Sequence, residues 1–258
     1  YGNNPEASKS RTNAWLTALT YQDGGTLNVP SDSVYWNYGG LVTGATVRVE
    51  LSTDGGDNWS VIATNISAVA GTYLWANTNF NSSRFARWRV VYENDPTVVG
   101  SLGTNIVLRN GPFVYYVNDS SVAGDVYTAA PGNNGNLGTS AGAPKSTLQS
   151  VIDTHPILPG DIIYIDTGNY TLSLNQEISV LDSGSTSDYV YVIGSTNIPA
   201  GGTVFNRNAV VGSAYGLHLN GASHYWIRDI TIRGGGVGIQ MDSSPGSRLE
   251  RVRSHDNI

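Results

Sequence analysis

Toward its end the chain repeats its apolar positions at one interval. Gly216 recurs as Gly238, Leu217 as Ile239, Leu219 as Met241, Ile227 as Leu249 and Ile230 as Val252, each 22 residues on. A fixed period of this length predicts a solenoid, in which each repeat buries its inward side chains only against its neighbours. Within a repeat the runs are short and alternate, as in Gly216-Leu217-His218-Leu219-Asn220 and Trp226-Ile227-Arg228-Asp229-Ile230-Thr231-Ile232. Alternation with period two belongs to strands with one face inward. The repeat therefore predicts a parallel β-helix, with Gly234-Gly235-Gly236 as a turn between strands of one coil. Looser spacings extend the pattern backwards. Ile163-Tyr164-Ile165 lies 27 residues before Val190-Tyr191-Val192, and Val190 and Val192 lie 27 before Leu217 and Leu219, giving about four coils.

A helix is predicted over about residues 146–154. Ser146-Thr147-Leu148-Gln149 fits a capping box, with the Ser146 hydroxyl and the Gln149 side chain satisfying amides at the helix start. Leu148, Val151 and Ile152 form one apolar stripe, and Pro156 with Pro159-Gly160 stops the helix before Asp161-Ile162-Ile163-Tyr164 begins a strand. His155 reads as a residue at the helix C-terminus. Such a helix is suited to lid the first coil, whose interior and strand edges would otherwise be bare.

The first hundred residues have another style. Trp15–Leu19, Ser33–Tyr38, Thr46–Leu51, Trp59–Ala63, Thr72–Trp75 and Ala86–Tyr92 are short alternating runs separated by Gly, Asp and Asn. They predict an antiparallel β-sandwich over residues 1–111, with Trp36, Trp59, Trp75 and Trp88 as core and edge-packing rings. This domain resembles the immunoglobulin-like or fibronectin-type modules of bacterial secreted enzymes. Ser52-Thr53-Asp54-Gly55-Gly56-Asp57-Asn58-Trp59 is similar to the Asp-box turn of sialidase-type repeats, with Asn58 where those have Thr. It reads as a structural hairpin, since Asp54 and Asp57 alone supply too few oxygens for calcium.

Residues 112–258 carry a second resemblance. Tyr115-Tyr116-Val117-Asn118-Asp119, Gly132-Asn133-Asn134-Gly135-Asn136, Ala143-Pro144-Lys145-Ser146-Thr147-Leu148-Gln149, Pro159-Gly160-Asp161 and Thr167-Gly168-Asn169-Tyr170 occur in this order. The run resembles the opening of secreted right-handed β-helix proteins of the pectate-lyase-like superfamily. That likeness implies a capped right-handed parallel β-helix in an extracellular or cell-surface protein, chiefly bacterial, that handles polysaccharide or builds a surface. It carries over no catalytic residue, because the working groups of those proteins generally sit on middle coils. It also implies a parent longer than this chain, with an open coil prone to end-to-end self-association.

Composition narrows the classes. The 258 residues contain no cysteine, which removes disulfides and thiolate metal sites. Only 13% are charged and the net charge is −6, against a nucleic-acid partner. No apolar run approaches the roughly 18 residues that span a bilayer. Residues 216–258 hold five Arg against four Asp and Glu, a local balance compatible with an acidic glycan.

The 22-residue register sets Trp226 over Arg248, Arg228 over Glu250 and Asp229 over Arg251. As ladders these pairs fix register and need no ligand. As a site, Trp226, Arg228 and Arg248 form a sugar-binding strip, with the ring beneath a pyranose and guanidinium groups on carboxylate or sulfate. His218, with its ring expected outward, is a candidate base beside them. His218, His224, Asp242 and His255 lack compact ligand spacing, so no metal or other cofactor is expected. The reading is an all-β protein whose sandwich precedes the first coils of a β-helix. It either binds or processes polysaccharide, with any lyase or hydrolase chemistry in later coils, or serves as a non-catalytic component of a filament, coat or adhesin.

Overall fold

The computed structural model describes residues 13–209 and 211–258. The protein is all-β, with one seven-residue α-helix among the described residues. Its chain divides into two compact units, Tyr1–Gly111 and Pro112–Ile258.

Unit 1 contains β1 (Trp15–Ala18), β2 (Thr26–Asn28), β3 (Ser33–Gly39), β4 (Thr46–Ser52), β5 (Ser60–Ser67), β6 (Thr72–Leu74), β7 (Ser83–Tyr92), β8 (Val99–Ser101) and β9 (Ile106–Arg109). Strands β1, β3 and β6 make one sheet, and β2-β9-β7-β4-β5 make the other, with β8 added to β7. Alternation decides what each sheet buries. Leu16, Ala18, Val34 and Trp36 of the first sheet join Leu27, Val47, Val49, Leu51, Trp88, Val90 and Leu108 of the second in one buried cluster. Two of the indoles also find acceptors, Trp36 on the Ala68 carbonyl at 3.1 Å and Trp88 on the Thr20 carbonyl at 3.2 Å. A buried indole N–H usually finds such a partner, whereas that of Trp75, also buried, has none among the described residues. The pairing is antiparallel except that β2 joins β9 in parallel, a departure from the wholly antiparallel expectation.

In unit 2 the strands run β10 (Val114–Val117), β11 (Ile162–Ile165), β12 (Gly168–Thr171), β13 (Gln176–Ser179), β14 (Val190–Gly194), β15 (Thr203–Asn206), β16 (Tyr215–Asn220), β17 (Tyr225–Arg228), β18 (Ile230–Arg233), β19 (Val237–Asp242), β20 (Arg248–Glu250) and β21 (Arg253–His255). They form three parallel sheets, β10-β11-β14-β17-β20, β12-β15-β18-β21 and β13-β16-β19. From β11 onward the chain visits the three sheets in a fixed order; β11–β13, β14–β16 and β17–β19 each add one strand to every sheet, and β20 and β21 add one to the first two. Residues of successive circuits then stack at the strand spacing of about 4.8 Å. One inward column is Tyr115, Ile163, Val192, Ile227 and Leu249. Its first four members are fully buried.

The 22-residue partners appear directly in the register as Leu217 with Ile239, Leu219 with Met241 and Ile227 with Leu249. The same interval governs the corners. Gly221 and Ser243, His224 and Gly246, Asp229 and Arg251, and Gly234 and Asp256 all have positive φ, between 47° and 78°. Amides at these corners reach the next circuit: Gly221 donates to the Asp242 carbonyl at 2.8 Å and Asp229 to that of Glu250 at 3.1 Å. The earlier 27-residue spacings are corrected. Ile163 pairs with Val192, two residues beyond its expected partner, and Val190 pairs with Tyr225 rather than stacking on Leu217, which lies over Gln176 in another sheet. A slip of two leaves the inward face unchanged, so alternation does not detect it.

The helix α1 spans Leu148–Thr154, and its cap differs from the expected one. Thr147, not Ser146, is the capping residue, accepting from the Ser150 amide at 3.1 Å. Gln149 therefore falls one position short of closing a capping box and turns to the sheet instead. Its amide donates to Gln176 Oε1 at 2.8 Å, and its own Oε1 accepts from the Glu177 amide at 2.5 Å. Strand β13 is the first of its sheet, so these bonds satisfy part of a bare edge. Leu148 and Val151 are buried beneath the helix. His155 ends it, its ring 4.8 Å from that of Tyr115 and its Nε2 2.7 Å from the Leu137 carbonyl oxygen.

Candidate functional site

Outward positions of the five-stranded sheet form two columns. One is Val114, Ile162, Tyr191, Trp226 and Arg248; the other is Tyr116, Tyr164, Ile193, Arg228 and Glu250. Stacking by circuit brings rings of distant sequence position together. Trp226 lies 5.8 Å from Tyr191 and 6.2 Å from Tyr189, the latter edge-on. The Arg248 guanidinium sits 4.9 Å from the Tyr189 ring centre and 5.5 Å from that of Trp226. Both distances are within cation–π range.

Glu250 orients the indole. Its Oε2 accepts from Trp226 Nε1 at 2.9 Å, while its other oxygen takes an Arg251 guanidinium N–H. This is a second correction. Arg228 and Glu250 are register partners, but the carboxylate goes to Trp226 and Arg251, and among the described residues Arg228 Nε is buried without an acceptor. The Asp229–Arg251 rung forms as a fork, with Nε at 2.6 Å and Nη2 at 2.8 Å from the two carboxylate oxygens. The hydrogen bonds that its guanidinium donates to Asp229 hold the Arg251 pKa above its ordinary value. Two aligned N–H bonds fix a guanidinium better than one contact does.

A second aromatic group lies farther along this sheet. Tyr127 stacks on Tyr164 at 4.5 Å, and Tyr116 lies 5.9 Å from Tyr164. Burial raises the Tyr127 phenol pKa, as do the negative charges of Asp229 and Asp166, while the Arg228 charge opposes them. Tyr127, Tyr164, Tyr189 and Tyr191 were not singled out from the sequence. Outward Tyr at alternate positions 189 and 191 was the available signal, but Tyr191 meets Trp226 across 35 residues, an interval different from the 22 and 27 that the apolar pattern offers.

His218 is not part of this strip. It stands on β16, in the three-stranded sheet, whereas Trp226, Arg228 and Arg248 belong to the five-stranded one. Its ring, expected to face solvent, is largely covered, with the side chain 11% exposed. The covering groups are Tyr215, 4.8 Å away, Asp242, 2.9 Å from Nε2, and Glu177, 3.8 Å from Nδ1. Glu177 also accepts from Asn220 Nδ2 at 2.9 Å, and Asp242 from Gln240 Nε2 at 2.6 Å. Bonds from Gln240 and His218 hold the Asp242 carboxyl below its ordinary pKa. Near Glu177 an open cavity of about 440 Å³ is lined by Gln149, Asp153, Asn175 and Arg207. The side chains of Gln149 and Arg207 are engaged in hydrogen bonds within the unit.

In unit 1, Asp54 is committed to its hairpin. Oδ1 accepts from the Ser52 hydroxyl at 2.6 Å and the Asn58 amide at 3.0 Å, and Oδ2 from Asn58 Nδ2 at 2.7 Å. Trp59 closes the turn through Nε1 on the Gly56 carbonyl at 2.9 Å, with Arg89 packed 4.1 Å from its ring centre. Among the described residues no group of three or more His, Cys, Asp or Glu is placed to hold a metal ion. No helix of the described residues is long and apolar enough to cross a membrane.

Comparison of the chain with protein-family models, with curated proteins and with solved structures found no match.

Proposed function

We propose that this is an extracellular protein whose second unit is a right-handed parallel β-helix capped by helix α1, and that it binds an acidic polysaccharide along the five-stranded sheet. The observation that carries the reading is the cluster of Tyr189, Tyr191, Trp226 and Arg248, in which rings from two circuits and a guanidinium share one outward face. An aromatic face accepts the C–H side of a pyranose, and a guanidinium beside it pairs with a uronate or sulfate. Arg228, with its Nε lacking an acceptor, lies in the neighbouring column. The strip acts by binding. His218, set apart in another sheet and enclosed by two carboxylates, is assigned no catalytic step.

Gel retardation by polygalacturonate and by chondroitin sulfate tests this. The wild-type chain is expected to be retarded by at least one, and Trp226→Ala or Arg248→Ala to weaken the interaction by about three- to tenfold, as loss of one cation–aromatic contact implies. Added salt should weaken it further. Unretarded wild type, or variants that bind equally well, sinks the proposal.

The exposure of Met241 and Leu249 favours a second reading. Both occupy inward register positions on strands whose far edges no described strand pairs. In that reading the protein is a surface building block that associates end to end through β19–β21.

A further inference from the structure

The outer face of the three-stranded sheet in unit 1 holds side chains that the reading above leaves unused. Residues directly opposite in an antiparallel pair share a face. The register thus sets Trp15 beside Gly39, Thr17 beside Asn37, Tyr35 beside Thr72 and Ser33 beside Leu74. Their strand neighbours Leu16, Ala18, Val34 and Trp36 fill the core, so this set faces away from it.

Two of its rings lie open: Trp15 is 48% exposed and Tyr35 51%. The Trp15 ring has a prepared seat. A Cβ placed on Gly39 would stand 2.5 Å from the indole Nε1 and 2.6 Å from Cε2. Gly39 is not among the glycines with positive φ, so its backbone does not require glycine. What the missing side chain provides is room for the indole to lie against the strand. Tyr35 stands four residues from Gly39 on β3, about 14 Å along the strand. Between the two rings, Thr17 and Asn37 present a hydroxyl and an amide.

Charge and composition select the occupant. None of the eight outward residues is charged, which leaves nothing to attract an anionic lipid, a uronate or a sulfate. The face also lacks the unbroken apolar centre of a stable protein interface, because hydroxyl and amide groups separate the rings. A neutral sugar matches it on both counts: its C–H face lies on an aromatic ring, and its hydroxyls exchange hydrogen bonds with Thr and Asn. We propose that this sheet is a platform for a neutral, extended polysaccharide, with Trp15 and Tyr35 beneath separate sugar rings. The inference does not rest on the strip in unit 2, which carries guanidinium groups and belongs to another sheet.

Gel retardation of the full chain by soluble xylan, galactomannan, mixed-linkage β-glucan and hydroxyethyl cellulose provides the test. At least one should retard the wild type. The double variant Trp15→Ala/Tyr35→Ala should bind about tenfold more weakly, the loss of two stacked rings, whereas Trp15→Phe/Tyr35→Phe should keep most of the affinity. Trp226→Ala/Arg248→Ala should leave retardation by the neutral polymer unchanged, which separates this site from that of unit 2. Should Trp15→Ala lower the melting temperature of unit 1, Thr17→Glu, which leaves both rings in place, should still abolish retardation by obstructing the face. The proposal is overturned if none of the four polymers retards the wild type, if Thr17→Glu and the alanine variant both bind undiminished, or if the alanine variant instead dissolves a dimer of this chain.

Discussion

The amide of Asn58, the hydroxyl of Ser52 and the side chain of Asn58 all donate to Asp54, and together they hold its carboxyl well below the usual carboxylate range. A folded pKa below the unfolded one adds stability that is present above about pH 4 and is lost as the pH falls through the folded value. Asp54→Asn should therefore lower the melting temperature of unit 1 at neutral pH, with the difference from wild type narrowing as the pH falls below about 4. A difference that stays constant across the acid range would show that the carboxylate bonds do not stabilise the hairpin. Glu50 obeys the same logic with a different balance. Burial would raise its pKa, but hydrogen bonds and charge from Arg48 and Arg89, each with Nε at 2.5 Å, outweigh burial and hold it low.

At the scale of elements, helix α1 caps the first circuit through Gln149, and its own start depends on Thr147. Thr147→Ala should cost about 1 kcal/mol in chemical denaturation of unit 2, the usual loss for a side-chain cap. Ser146→Ala should fall within about 0.5 kcal/mol of wild type, since that residue does not cap the helix. Equal losses at the two positions would restore the capping-box arrangement that the sequence suggested. The displacement by one residue has a plain cause. Gln149 bonds to the β13 edge, a partner 27 residues away that no local pattern contains.

For the whole molecule, the informative contrast is between the two ends of the inward columns in unit 2. Tyr115, Ile163, Val192 and Ile227 are fully buried, yet Leu249, the last in that column, is 45% exposed. Full burial of such a side chain is worth about 1.5–3 kcal/mol, which is the driving force available to any surface that covers it. If end-to-end association operates, sedimentation should show a concentration-dependent rise in mass for the wild type. Leu249→Asp should abolish that rise. A wild-type chain that remains monomeric at every concentration excludes the association.

The sequence by itself determined the strand character of both units, the faces that alternate residues take, and the register of the last two circuits. Those follow from short-range rules: alternation assigns faces, and an interval of 22 without insertion aligns Leu217 with Ile239 and Trp226 with Arg248. Even there the corner residues were illegible, since Asp229 and Arg251 or His224 and Gly246 share a positive φ but no chemical type. Only the tertiary structure decided the earlier registers, because loops of unequal length separate the strands and a slip of two residues leaves every side chain on its expected face. It also decided which polar groups meet: Glu250 faces several donors, and Trp226 and Arg251, not Arg228, take its oxygens. Partner choice of that kind depends on distances between circuits and sheets, which a linear pattern of apolar and polar residues does not contain.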